Sequence, residues 1–539
     1  MNPIRLAFLP TFAVIYFSAT PARADHLRDL QSQAMTDGRA AWGHWGVNPE
    51  KYSDWKSHSN RLVPVYTFGI GINAVAGKKS VYRNASRLEA LYGRLPDHTL
   101  NPQAEYFDQT DVHALQAAAV AAGKKHVILI VFDGMDWQTT WAAAVHRKGS
   151  VGYREGRGTG LAFQDYSGTQ TAFGYFVSSP HNHGTPVDVN AQIVQNAGGV
   201  LPGGYDAARG GGAPWSACNP LYLIALTPDR LHAVTDSASS ATSLTAGIKT
   251  YNDAINVDWQ GGQVAPIAHR LQAEGFAIGV ITSVPISHAT PACAYAHNVS
   301  RDDYQDLTRD MIGLPSVAHR EQPLPGVDVL IGTGWGESRE TDDGQGTNFM
   351  PGNRYLADAD RDAVDAAQGG RYVVAQRTSG RAGQEVLAEA ARQAAENNRR
   401  LLGFFGFSGS FVKGSSHLPF QTADGRHDPV AGANAAEVYS EADVVENPTL
   451  ADMTSAALTV LERDPEGFWL MIEAGDVDWA NHDNNLDNSV GAVLSGDVAF
   501  RAVVSWVEAR DAWSETAVIV TADHGHLLFL TQPEALVGE

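Results

Sequence analysis

Apolar runs recur along this chain, and several end on a polar residue at the same relative place. Residues 127–132 run into Asp133, 276–281 into Thr282, 468–472 into Glu473, and 517–520 into Thr521-Ala-Asp523-His524. Residues 327–331 and 401–405 are further runs of the same kind. Near-continuous apolar strands separated by helical stretches predict a mostly parallel central sheet with helices on both faces, an α/β fold. One such helix is predicted over 449–463, with Thr449 as N-cap, Asp452 three residues on, and an apolar stripe of Leu450, Met453, Ala457, Val460 and Leu461. In open sheets of this class, reactive groups collect at the carboxyl ends of the strands, which is where these polar residues fall. Residues 149–215 and 302–448 are rich in glycine and polar loops, and are expected to be insertions over the site within a single α/β domain, 25–539.

Composition narrows the class. With 539 residues and 44% apolar content the chain can fill a large core. A formal charge of −21 makes nucleic acid an unsuitable partner, whereas a small anion stays compatible if bound cations invert the local field. Arg5, the apolar stretch 6–17 and Ala22-Arg-Ala24 read as a signal peptide over 1–24, so a periplasmic or secreted protein with no membrane span is expected. Export permits a disulfide between Cys218 and Cys293, and two distant cysteines leave that open.

The chemistry concentrates in four places. Asp236-Ser237 precedes a small-residue, helix-compatible stretch, which sets a serine hydroxyl at a helix N-terminus where backbone N–H groups favour an alkoxide or a phosphate oxygen. Alone, that pair is an ordinary N-cap. No G-x-S-x-G elbow surrounds it, so a metal is the expected activator. Asp478 and His482 stand four apart, on one face of a helical turn. Asp523-His524 repeats the carboxylate–imidazole chemistry at another strand end, and Asp133 adds a carboxylate. Imidazole and carboxylate without thiolate suit a catalytic zinc that keeps an open position.

The motifs Asp133-Gly-Met, Thr235-Asp-Ser-Ala-x-Ser-Ala-Thr, His288-Ala-Thr-Pro-Ala with Arg301 following, Glu473-x4-Asp478-x3-His482 and Thr521-Ala-Asp-His524 together resemble those of the alkaline phosphatases. The resemblance implies two zinc ions and one magnesium. It makes Ser237 the nucleophile, with Asp133, Asp523 and His524 at the second zinc, Asp478 and His482 at the first, and Thr290 and Glu473 joining Asp133 at magnesium. Arg301 would clamp two phosphate oxygens. His288 and Trp479 would flank the phosphate, and neither matches the best-known bacterial pattern; for His288 a place behind the magnesium, a weak extra metal ligand and an ordinary loop histidine all stay open, the first being favoured. A homodimer is expected by analogy.

The family's third ligand to the first zinc is a histidine downstream of the Asp-His pair, where this chain offers only His526. Ser57-His58-Ser-Asn, leading to an apolar run that ends in Phe68-Gly69, resembles that late segment, and Asp108-Gln-Thr-Asp-Val-His-Ala-Leu resembles the helix that closes the family's chain. A circular permutation is therefore expected, with 50–125 equivalent to the family's C-terminus and His58 as the missing ligand. The implied reaction is hydrolysis of small phosphate monoesters through a phosphoserine. The competing readings are a phosphodiesterase or sulfatase on the same core, and a phosphate- or metal-binding protein without catalysis.

Overall fold

The computed structural model describes residues 26–409 and 415–538, so the expected signal peptide lies outside the described residues. Ten strands make the main sheet: β1 (Val63–Phe68), β2 (Phe107–Asp108), β3 (His126–Phe132), β4 (Thr171–Val177), β5 (Ala277–Pro285), β6 (Val329–Thr333), β7 (Tyr372–Gln376), β8 (Arg400–Phe405), β9 (Phe468–Ala474) and β10 (Thr516–Thr521), in the spatial order β7-β8-β6-β5-β9-β3-β10-β1-β4-β2. From β7 to β10 every neighbour is parallel; β1 then runs antiparallel to both β10 and β4. All six apolar runs read from the sequence are strands of this sheet. Because β5, β9, β3 and β10 are buried along both faces, they read as unbroken apolar runs instead of alternating ones.

Ten helices matter for the site: α1 (Thr110–Ala121), α2 (Trp137–Lys148), α3 (Ser237–Ala246), α4 (Ile267–Ala273), α5 (Ala289–Cys293), α6 (Tyr304–Ile312), α7 (Gly383–Glu396), α8 (Leu450–Leu461), α9 (Asp476–His482) and α10 (Leu486–Ala509). α7, α8, α10 and α2 pack in a row on one face of the sheet, while α1, α3, α4 and α5 cluster on the other. Adjacent residues of β9 show the division. The Trp469 indole N–H donates to Gln116 of α1 (2.8 Å), whereas Leu470 and Leu461 of α8 both crowd Gly279. Thr449 caps α8 in the expected capping box with Asp452, an arrangement that stabilises a helix by about 1 kcal/mol.

Three expectations need correction or completion. Residues 302–448 supply β6, β7 and β8, all parallel strands of the main sheet, alongside their polar loops, and 149–215 supplies β4. β6 and β8 are the apolar runs 327–331 and 401–405, whereas the long polar connections around them hid β4 and β7. α10 is long and apolar enough to span a membrane by length and composition, a run that the sequence reading passed over. Its inward residues Val490, Val493, Ala499, Phe500 and Val503 are buried, and Gly496 lies so close to Phe132 that a Cβ there would meet the ring at 2.2 Å. Finally, both cysteines are free. The Cys293 thiol is buried against Thr242 and the Ala238 carbonyl (both 3.3 Å), and burial pushes its pKa up to about 12.

Both thiols should therefore react with a thiol reagent in unfolded, unreduced protein, and a zero count would show a disulfide instead.

Candidate active site

The parallel register brings the polar strand ends together. Glu473 lies level with Thr282 on β5 and Val131 on β3, and Thr521 pairs with the same Val131. Asp133 and Asp523 thus emerge side by side. The chain turns sharply after Asp133 at Gly134 (φ 67°), where a Cβ would meet the His526 ring at 2.8 Å, so the turn needs glycine. Asp523 Oδ1 accepts the Gly134 N–H (3.1 Å) and the His524 N–H (2.9 Å), and its Oδ2 accepts the Ser240 hydroxyl (3.1 Å).

Ser237 opens α3. Asp236 caps the helix by accepting the Ser239 N–H (2.9 Å), so the N-cap role and the placement of Ser237 in the first turn are one piece of local structure. Ser237 Oγ lies 3.2 Å from His524 Nε2 and 3.5 Å from Asp133 Oδ1. Asp133 Oδ1 is 3.2 Å from His524 Nε2, and its Oδ2 accepts the Thr290 hydroxyl (3.4 Å). Asp236 also binds Arg301: its Oδ2 accepts from Nη1 at 3.0 Å, and the Arg301 Nη2 reaches His288 Nε2 at 3.3 Å. Burial opposes the charge on Asp236, but the guanidinium holds its pKa below the ordinary value. Burial and the Arg301 charge push His288 down to about 3, so it is neutral. The Trp479 ring stands edge-on to His288 at 5.8 Å and to His417 at 5.5 Å, forming one wall.

The second cluster assembles around Asp478. His58 Nε2 is 3.7 Å from Asp478 Oδ1, His482 Nε2 is 3.5 Å from Oδ2, and the two imidazole nitrogens are 3.1 Å apart. Each ring has its other nitrogen on a backbone carbonyl, His58 Nδ1 at Thr235 (3.0 Å) and His482 Nδ1 at Lys56 (2.6 Å). With Nδ1–H donating to those carbonyls, each Nε2 lone pair faces the cluster, the orientation a metal-ligating histidine needs. The segment carrying His58 is stitched to the end of β10: the Ser59 N–H donates to Gly525 (2.8 Å), its hydroxyl donates to the His526 carbonyl (2.6 Å), and the Gln109 amide donates to the Asp523 carbonyl.

All twelve residues singled out in the sequence converge here. The sequence reading undervalued His526, whose Nε2 lies 2.6 Å from Asp478 Oδ1 and which groups with His58, Asp478 and His524 within 4.8 Å. His524 and His526 are two apart on an extended stretch, which points both to one side, and that spacing was the available signal. Thr282, hydrogen-bonded to Glu473 Oε2, was visible only as a strand-end polar residue.

The donor set fits cations. Asp133, Glu473, Asp478 and Asp523 are at most 3% exposed, and Glu473 Oε1 and His524 Nδ1 have no hydrogen-bond partner among the described residues. Burial and mutual repulsion raise the pKa of Asp133 and Asp523 well above ordinary carboxylates, and burial lifts Glu473 to about 8. Asp478 alone goes the other way: burial opposes its charge, yet His482 and His526 hold it well below. A folded-state pKa raised above the ~4 of the unfolded chain means that the metal-free native state binds the extra protons, so stability from Glu473 falls as pH rises from ~4 and is lost once pH passes about 8. Chelator-treated protein should lose thermal stability between about pH 5 and pH 8, and reloaded protein should not. Parallel pH curves for the two forms would contradict the charge balance described.

A family profile described as alkaline phosphatase matches residues 224–535, more than half of the chain. Among curated relatives, alkaline phosphatase 3 of Bacillus subtilis is 27% identical over 292 residues, covering 54% of this chain and 49% of its own length. Alkaline phosphatase H of Pseudomonas aeruginosa is 29% identical over 316 residues, covering 56% and 59%. The chain thus spans about half the length of the curated relatives it matches. Among solved structures, a cold-active alkaline phosphatase from a Shewanella species aligns with a TM-score of 0.42 at 21% identity, over 74% of this chain and 68% of that one. With the profile match covering most of the residues that build the site, this chain belongs to the alkaline phosphatase family.

Proposed function

We propose that the protein is an exported, metal-dependent phosphomonoesterase that works through a phosphoserine at Ser237. The observation that carries the reading is the serine hydroxyl in the first turn of a helix, 3.2 Å from His524 Nε2 and 3.5 Å from Asp133, with the Arg301 guanidinium on the adjoining cap residue. Residues 1–24, which suggest export, lie outside the described residues.

In this reading His58, Asp478 and His482 hold one zinc, Asp133, Asp523, His524 and Ser237 hold the other, and Asp133, Thr290 and Glu473 hold magnesium. When bound, these ions supply the Lewis acidity that lowers the pKa of a hydroxyl and offsets phosphoryl charge. Ser237 Oγ attacks phosphorus in line; the Oγ–P bond forms as the ester P–O bond breaks, and the alcohol leaves with a proton. Arg301, already oriented by Asp236, binds two equatorial oxygens through its planar fork. The first turn of α3 adds backbone N–H groups and the dipole. His288, neutral, and Trp479 wall the phosphate without adding charge. Water then attacks the phosphoserine from the opposite side, phosphate leaves, and Ser237 recovers its proton. Recognition rests on the phosphoryl group, which suits varied small monoesters.

We also propose that 50–125 fills the place of the family's C-terminal segment, so that the chain is circularly permuted. Supporting this are the position of His58 beside Asp478, the antiparallel pairing of β1 with β10, and the Gln109 contact to Asp523. His526 offers a competing donor to Asp478, and substitution separates the two.

Zinc content and aryl-phosphate hydrolysis, measured on wild type beside His58→Ala, test both readings. Wild type should hold two zincs and turn over. The variant should lose one zinc and more activity than the about 10–100-fold that follows loss of a group behind a ligand. A variant that keeps both zincs makes His58 a bystander and ends the permutation proposal. A wild type without zinc or turnover ends the phosphatase one.

A further inference from the structure

A second group of metal-ligating side chains lies apart from the site above and shares no residue with it. His297, Asp310 and His319 each offer a ligand atom, and the three atoms lie within 4.8 Å of one another. Asp310 is fully buried on α6, His297 is 5% exposed in the stretch between α5 and α6, and His319 follows α6 in the connection to β6.

The local bonding satisfies the carboxylate but leaves one imidazole nitrogen unmatched. Asp310 Oδ2 accepts the His297 backbone N–H (3.0 Å), and Oδ1 lies 2.9 Å from His319 Nδ1. The Nε2 of His297 faces the Val264 carbonyl at 3.2 Å and donates there. Its Nδ1 is then a lone pair, buried and without a hydrogen-bond partner among the described residues. The rings of His319 and of His269, on α4, stand 5.1 and 5.2 Å from the His297 ring. His269 is committed elsewhere, its Nε2 at the Tyr295 carbonyl (2.8 Å). Burial and the two neighbouring imidazoles push His297 down to about 3, which keeps that nitrogen unprotonated and available. A buried nitrogen lone pair left unmatched beside a carboxylate is costly for a hydrogen-bond network and suits a cation.

We propose that His297, Asp310 and His319 form an additional structural metal site for a zinc-class divalent cation. Two imidazoles and one carboxylate, with no thiolate, are borderline donors that zinc accepts, and water can complete a tetrahedron. Bonds of about 2.0–2.2 Å draw such ligands to about 3.4 Å apart, so the rings need move only by about an ångström. The location gives the ion a consequence. His297 and Asp310 bracket the segment that contains Arg301, and the ion would tie its two ends together and to the connection beyond α6. Fixing that segment fixes the approach of the guanidinium to Asp236.

The proposal does not depend on the identity of the active-site metals, and its test is a difference count. Wild type, His319→Ala and Asp310→Asn, each as the full chain, are stripped with chelator, reloaded with zinc chloride and dialysed against a weak chelator. Zinc per folded chain is then measured by mass spectrometry, with circular dichroism as the check on folding. Both variants should hold one zinc fewer than wild type, and the Tm gained on reloading should shrink. Because His319 is partly exposed, His319→Ala should fold even if Asp310→Asn does not. Equal zinc counts in wild type and His319→Ala overturn the proposal, whatever the total.

Discussion

Four carboxylates, three buried at adjoining strand ends and one on the helix that follows β9, constrain everything else around the site. Two unit charges ~4 Å apart repel by about 4 kcal/mol at an effective dielectric of ~20, and Asp133, Glu473, Asp478 and Asp523 have almost no contact with solvent. Such a group persists in a fold only if protons, imidazoles or cations balance it. Three of the four take the proton route without metal, while Asp478 is balanced by histidines. The parallel sheet enforces the crowding, because β9, β3 and β10 run in step and terminate together.

From that constraint the roles of distant segments follow. α3 contributes its N-terminus, Asp236 and Ser237, while α9 presents Asp478 and His482 from one helical face. The segment before β1 contributes His58, anchored through Ser59 to Gly525 and through its own Nδ1 to Thr235. None of these anchors is long-range electrostatics; each is a backbone hydrogen bond that fixes a ring or a turn. Fixed donors are what a site needs if charge is to be stabilised as it develops and without reorganisation.

Much of this was legible in the sequence because buried parallel strands write themselves as apolar runs, and because Asp478/His482 and Asp523-His524 carry their chemistry at fixed spacing. The capping box at Thr449 and the cap at Asp236 were readable for the same local reason. What stayed hidden was non-local. β4 and β7 lie among polar connections, so 149–215 and 302–448 looked like insertions although they contribute strands to the sheet. His526 looked redundant because its contact with Asp478 depends on the turn at Gly134 and the end of β10. The His297–Asp310–His319 group could not be read at all, since only the packing of α6 and its flanking connections brings those residues together.

The account turns on Ser237 becoming covalently phosphorylated. The most direct measurement is mass spectrometry of the peptide carrying Ser237 after the metal-loaded protein is quenched in acid during turnover of an aryl phosphate. The account predicts a phosphoryl group on Ser237, absent in Ser237→Ala, with turnover in that variant lower by about 10^3-fold or more. Turnover with no phosphoryl group on that peptide, and undiminished in the variant, would contradict it.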